Sequence, residues 1–198
     1  MTLMGEIHSN PYTLITSRID NPIVHVQTGP STHICCVKDI PEKDKVQSRA
    51  GVIIYTIRDG RLYFCLGIDT NHDAYTDFSG GIKQTEDTIS GAHREFIEES
   101  LNVFGNISKD QINNSLALYS ENMMTIFIYV NCDMDRICSI FEKSVRFTSN
   151  PEVKSILWLP KMKFLNIINK KDPSIMYHKL YDLFLMGFSE YGDIFSML

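Results

Sequence analysis

The sequence predicts an α/β domain in which a mixed sheet lies between helical layers. Three observations carry this. Runs rich in β-branched residues, such as Ala50–Ile57 and Met124–Val130, read as buried strands. Segments with helical spacing follow them at 85–103, 135–147 and from 173 onward. Strands interleaved with amphipathic helices form a sheet that needs cover on both faces. A length of 198 residues suits one such domain plus an added segment. Residues 48–198 are expected to form the domain, and residues 1–47 an N-terminal extension packed on it.

Within 1–47, Gly29-Pro30 and Pro41 interrupt the chain, and Glu42-Lys43-Asp44-Lys45 reads as a charged turn. Val24, Val26 and His33–Val37 suggest short strands. Ala50–Ile57 is followed by Asp59-Gly60, a two-residue hairpin signal, and by a returning strand at Leu62–Ile68. Asn71–Phe78 reads as a polar loop leading into Gly80-Gly81, where the backbone can approach a ligand closely. Thr85-Glu86-Asp87 offers a helix start, with an N-cap hydroxyl and first-turn acids at the positive helix end. Ile89, Ala92 and Phe96, with His93 and Ile97, share one stripe of that helix, which is expected to end at Asn102 or Gly105. Ser115–Tyr119 and Met124–Val130 are two further strands. A helix over 135–147 carries Ile137, Ile140, Phe141 and Val145 at helical period. Val153–Leu159 is a strand ended by Pro160, and Lys161–Asn169 a short helix. Pro173 opens the last helix, whose stripe of Tyr177, Tyr181, Phe184 and Phe188 reads as core. There is no internal repeat.

Net charge is −5, so the surface as a whole is not built for polyanions, and DNA is not an expected partner. The charge is uneven. Between Arg136 and Lys179 nine Lys/Arg face only Glu142, Glu152 and Asp172, a basic stretch suited to phosphates or simply to solvent. The five cysteines are odd in number, and Cys65 and Cys132 sit within apolar strands, as reduced intracellular thiols do. His33 with Cys35-Cys36 has no second pair to complete a zinc site. No signal-peptide pattern opens the chain and no apolar run suits a bilayer, so a cytoplasmic protein without membrane partners is expected.

The chemistry concentrates in Ser79–Val103. Glu95, Glu98 and Glu99 emerge on one helix face, opposite the apolar stripe. Left empty, like charges at this spacing cost about 0.2–0.5 kcal/mol per pair. Glu98 and Glu99 also lie toward the end of the helix that disfavours acids. A hard divalent cation, which takes oxygen ligands, offsets both penalties. Arg94 among these acids is able to hold a carboxylate bidentately. A solvated acidic face, used at most for protein contact, is the plain alternative.

Gly80, five residues, Glu86, seven residues, then Arg94-Glu95-Phe96-Ile97-Glu98-Glu99 resembles the Nudix box. Leu101 and Asn102 stand where that pattern has Gly and an aliphatic, and Ser79 stands where Pro is common. The resemblance implies a Nudix-type α/β/α sandwich and a metal-dependent hydrolase of phosphoanhydride bonds. It implies that Glu95, Glu98, Glu99 and a carbonyl of Gly80 hold Mg²⁺ or Mn²⁺. Glu86 would stand in the outer shell. Glu95, Glu99 and Arg94 would serve catalysis, together with Glu152 as a base or further ligand from the loop before the last strand. A looser likeness, in KDIPEKDKVQSRAGVIIYTI and FTSNPEVKSILWLP, is to the mRNA-decapping Nudix enzymes of poxviruses and giant DNA viruses. It implies a viral protein of the host cytoplasm that binds and decaps capped RNA. Tyr75, Phe127 and Tyr129 are then candidates to stack on a base. The alternatives are a Nudix hydrolase of small nucleotides (a dNTP, ADP-ribose or a dinucleoside polyphosphate) and a non-catalytic Nudix-fold binding module.

Overall fold

A computed structural model describes residues 32–170 and 172–198. Val24, Val26 and most of the expected extension lie outside the described residues. Within its described part, β1 (His33–Cys36) pairs antiparallel with β6 (Leu116–Tyr119) and is, among the described residues, the last strand on that side of the sheet.

At the centre stands β2 (Arg49–Arg58), whose apolar run makes it buried on both faces. It pairs in parallel with β7 (Met123–Tyr129) on one side. On the other side it changes partner along its length. Arg49–Val52 pairs with β5 (Phe78–Gly81), and Ile54–Arg58 with β3 (Arg61–Asp69), both antiparallel. The β2–β3 turn is the expected one, with Asp59 at φ 52° and Gly60 at φ 69°. Two strands continue from β3: β4 (Tyr75–Thr76) and β8 (Val153–Pro160), both antiparallel to it. One parallel pairing among antiparallel ones makes the sheet mixed.

Alternate residues of each strand face opposite layers. Val52, Ile54, Cys65 and Ile126 pack on one face under α1 (Thr88–Glu99) and α3 (Met134–Val145), meeting Ala92, Phe96, Ile137 and Phe141. Ile53, Phe64, Leu66 and Phe127 pack on the other face under α4 (Lys161–Asn169) and α5 (His178–Tyr191), meeting Phe164, Ile168, Leu180 and Phe184. The architecture is the α/β/α sandwich with a mixed sheet that the sequence predicts. Among the described residues no helix is long and apolar enough to cross a membrane.

Several expectations are corrected. The expected polar loop at Asn71–Phe78 contributes β4 and the start of β5. Thr85 does not cap α1. Asp87 does, its side chain accepting from Ser90 N at 2.8 Å. The acidic helix ends at Glu99, not at Asn102 or Gly105, because Leu101 and Asn102 turn the chain with φ of 53° each. A short helix, α2 (Lys109–Asn113), was not expected; Ser108 and Gln111 form its capping box. Pro173 does not open the last helix. Residues 175–177 run beside β4 first, and α5 starts at His178. Tyr181 and Phe184 of the aromatic stripe are buried, whereas Tyr177 precedes the helix and is half-buried. All described cysteines are free thiols.

Candidate active site

The site forms where β5 runs under the C-terminal half of α1. Ala92 and Phe96, fully buried, pin α1 to the sheet. That places Glu95 over Gly80 and Arg94 beside the Gly81 carbonyl. Glu99 accepts a hydrogen bond from Ser79 N at 2.7 Å. The Glu95 carboxylate lies so close over Gly80 that a Cβ there would overlap it. That close approach explains a glycine at this position without appeal to backbone strain.

Arg94 gathers the remaining acids. Its Nε and Nη2 donate to the two Glu86 oxygens at 2.7 and 3.0 Å, the bidentate geometry that only a guanidinium supplies. Nη1 donates to Glu95 at 2.6 Å and to Glu98 at 3.1 Å, and Nη2 also reaches the Gly81 carbonyl at 3.0 Å. Glu86 sits in the turn before α1, so the loop and helix are tied across eight residues. Its carboxyl is held below the usual range, first by the Arg94 hydrogen bond. Glu98, its side chain 57% exposed, faces solvent at the edge of the cluster.

Glu99 is the strained member electrostatically. Burial pushes its carboxyl up to about 9, with the charge of Asp77 adding to it; the Ser79 N–H opposes, Glu152 adds, and Arg49 opposes. Asp77 is itself wholly buried between β4 and β5. Its oxygens accept from Ser79 Oγ at 2.5 Å and from Thr125 Oγ1 on β7 at 3.0 Å. Burial raises its carboxyl too. Two buried acids that share one neighbourhood are stabilised by a proton or by a cation. Among the described residues no group of three His, Cys, Asp or Glu stands close enough together to hold a metal ion. The residues nonetheless fit a hard divalent ion: an all-oxygen donor set of Glu95, Glu98 and Glu99, a buried acid held far above its ordinary range, and a bare glycine face at Gly80.

The other expected residues divide. Glu152 stands exposed in the loop before β8, close enough for its charge to act on Glu99, and its carbonyl accepts from Thr70 N at 2.8 Å. Tyr75, half-buried on β4, lines a groove of about 580 Å³ with Lys163, Asn166 and Lys170 of α4 and its end. Phe127 and Tyr129 are not brought to the site. Phe127 is 1% exposed within the second core cluster. Tyr129 pairs with Tyr55 at the far end of β2, whereas Arg49 and Met123 mark the site end. The basic stretch is also split: Lys143 and Arg146 belong to α3 and its cap on one face, Lys161, Lys163 and Lys170 to α4 and its cap on the other.

Sequence reasoning missed Asp77, Thr125, Arg49 and the role of Ser79. Asp77 and Thr125 are 48 residues apart, and no local spacing signals their meeting.

No protein-family model matches the sequence, and no curated protein does. Among solved structures the chain is similar to an Ap4A hydrolase of C. elegans in a binary complex. Identity is 16% over 76% of this chain and 98% of that one, with a TM-score of 0.44. A Nudix hydrolase of M. smegmatis, RenU, is 9% identical over 61% of this chain and 74% of its own, TM-score 0.36. The NUDIX domain of Shewanella oneidensis NrtR, complexed with ADP ribose, is 17% identical over 64% and 81%, TM-score 0.38.

Proposed function

We propose that the chain is a Nudix hydrolase that uses Mg²⁺ or Mn²⁺ to cleave a phosphoanhydride bond in a small nucleotide of the nucleoside-diphosphate-linked type. The observation that supports this most is the convergence of Glu86, Arg94, Glu95 and Glu99 on Ser79–Gly81. A bound divalent ion would supply Lewis-acid stabilisation of charge on the cleaved diphosphate. Glu95, Glu98 and Glu99 would hold it, with the Gly80 carbonyl. Arg94 keeps Glu86 and Glu95 in place before substrate arrives, which spares reorganisation during the reaction. Glu152 takes the proton from the attacking water. The new P–O bond forms as the anhydride P–O bond breaks, and the leaving phosphate carries away the electron pair.

A small nucleotide is preferred to capped RNA because the lysines that would track an RNA chain lie on both faces of the sheet. The basic wall of the Tyr75 groove is the feature that keeps capped RNA as the second reading. Turnover of Ap4A, ADP-ribose, dNTPs and cap-labelled RNA, in Mg²⁺ and in Mn²⁺, separates the two. Hydrolysis of at least one small nucleotide, lost in Glu99→Gln, is the expected result. Turnover of capped RNA alone would replace the substrate assignment, and full activity of Glu99→Gln would remove the chemistry from this site.

A further inference from the structure

Arg49 opens β2 and stands opposite Gly81 of β5. Its Nη2 donates to the Ser79 carbonyl at 2.5 Å and its Nε to Ser79 Oγ at 3.3 Å. Ser79 is the residue whose N–H binds Glu99, so Arg49 and Glu99 grip the same link of β5. Among the described residues no carboxylate stands within ion-pair distance of Arg49, although its charge reaches both Asp77 and Glu99. A guanidinium offers five donors, and the bonds to Ser79 use only one edge of the fork. Arg49 is half-buried and shares the strand face of Ile53, so part of the group stays open to solvent beside Tyr177.

Its plane is fixed from an unexpected direction. The Arg49 guanidinium carbon lies 4.6 Å from the ring centre of Tyr177. Tyr177 comes from the segment ahead of α5, and backbone pairing sets its place: Tyr177 N donates to Tyr75 O at 2.7 Å, and Tyr75 N to Ile175 O at 2.8 Å. The segment after β8 therefore reaches back across the sheet to stack on an arginine at the start of β2.

We propose that Arg49 binds the non-bridging oxygens of the substrate's diphosphate and that Tyr177 acts as its positioning residue. This rests on the diphosphate chemistry proposed above. The planar fork matches phosphate geometry in a way an ammonium does not. Stacking on a half-buried ring holds that fork without neutralising it, as a carboxylate partner would. Arg49 and Glu99 hold the same residue of β5 from its two faces, so one diphosphate at this end of the sheet can span the cation and Arg49.

The test is calorimetric titration with imidodiphosphate, whose P–N–P bridge resists hydrolysis, in Mg²⁺, with Mn²⁺ affinity and thermal melting as companion measurements. Loss of a charged hydrogen-bonding partner predicts that Arg49→Gln binds imidodiphosphate about ten- to a hundredfold more weakly. Mn²⁺ affinity should stay at the wild-type level. Arg49→Lys should fall between. Tyr177→Phe should bind as wild type, and Tyr177→Ala should weaken binding and raise KM with kcat retained. Imidodiphosphate binding unchanged in folded Arg49→Gln overturns the proposal. So does a parallel loss of Mn²⁺ affinity, which would assign Arg49 to holding the β5 loop, and so does a wild-type protein that does not bind the probe. Wild type that binds the probe through Arg49 but hydrolyses no nucleotide refutes the hydrolase reading and leaves the subsite standing.

Discussion

Glu99 shows how a single buried carboxyl couples folding to pH. Its folded value near 9 lies above the ordinary 4.5, so the folded chain holds a proton that the unfolded chain has released between those values. Stability of the metal-free protein therefore falls as pH rises from about 4.5 toward 9. The proposed divalent ion would take the place of that proton, so Mg²⁺ should raise Tm more at pH 8 than at pH 6. Glu99→Gln, neutral throughout and still able to accept from Ser79 N, should flatten both trends in thermal melts. A steep pH dependence persisting in that variant would locate the titration elsewhere. Arg94 acts beside it through geometry rather than titration. Lysine cannot reproduce two bonds to Glu86 together with bonds to Glu95 and Gly81. Arg94→Lys is expected to lower kcat about 10- to 100-fold, the range seen when partners of metal-binding groups are removed, with Tm nearly unchanged.

At the scale of elements, the fork in β2 makes the site. Its first half pairs with β5 and its second with β3, so β5 is delivered beneath α1 at the one point where the sheet divides. Gly51 is what allows β5 that close. An added Cβ would lie 2.6 Å from Phe78 O and from Ser79 Cα, both backbone atoms that cannot swing aside. Gly51→Ala should cost about 1–3 kcal/mol in urea denaturation, as overpacking does. Activity should drop further, because the displaced residue is Ser79. The helix exit follows similar logic. Leu101 and Asn102 adopt left-handed φ where a glycine is the easier choice, and this stops α1 directly after Glu99.

For the whole molecule, the two layers divide the labour. The layer of α1 and α3 carries the acids. The layer of α4 and α5 supplies Tyr177 and closes the second core cluster. Phe195, near the C-terminus, seals that cluster, with ring centres 4.3 Å from Phe64 and 4.9 Å from Phe164. It is 2% exposed. Phe195→Ala should destabilise the fold by about 3–5 kcal/mol, read from the urea midpoint at unchanged slope. An effect below about 1 kcal/mol would mean that the C-terminal turn is peripheral to the core.

The grouping of Glu86, Arg94, Glu95, Glu98 and Glu99 was legible in the linear order because it lies within one loop and one helix, where spacing alone sets which face a residue takes. Most strands were legible for the same reason, through β-branched runs and the Asp59-Gly60 turn, but β4 and β5 were not. The cap at Asp87, the α5 start at His178, the burial of Phe127 and the remoteness of Tyr129 were not. Nor were the Asp77–Thr125 and Arg49–Tyr177 contacts. These depend on which strand edge pairs with which, and in what register. Register is settled by packing across the sheet, a long-range balance that no local periodicity encodes.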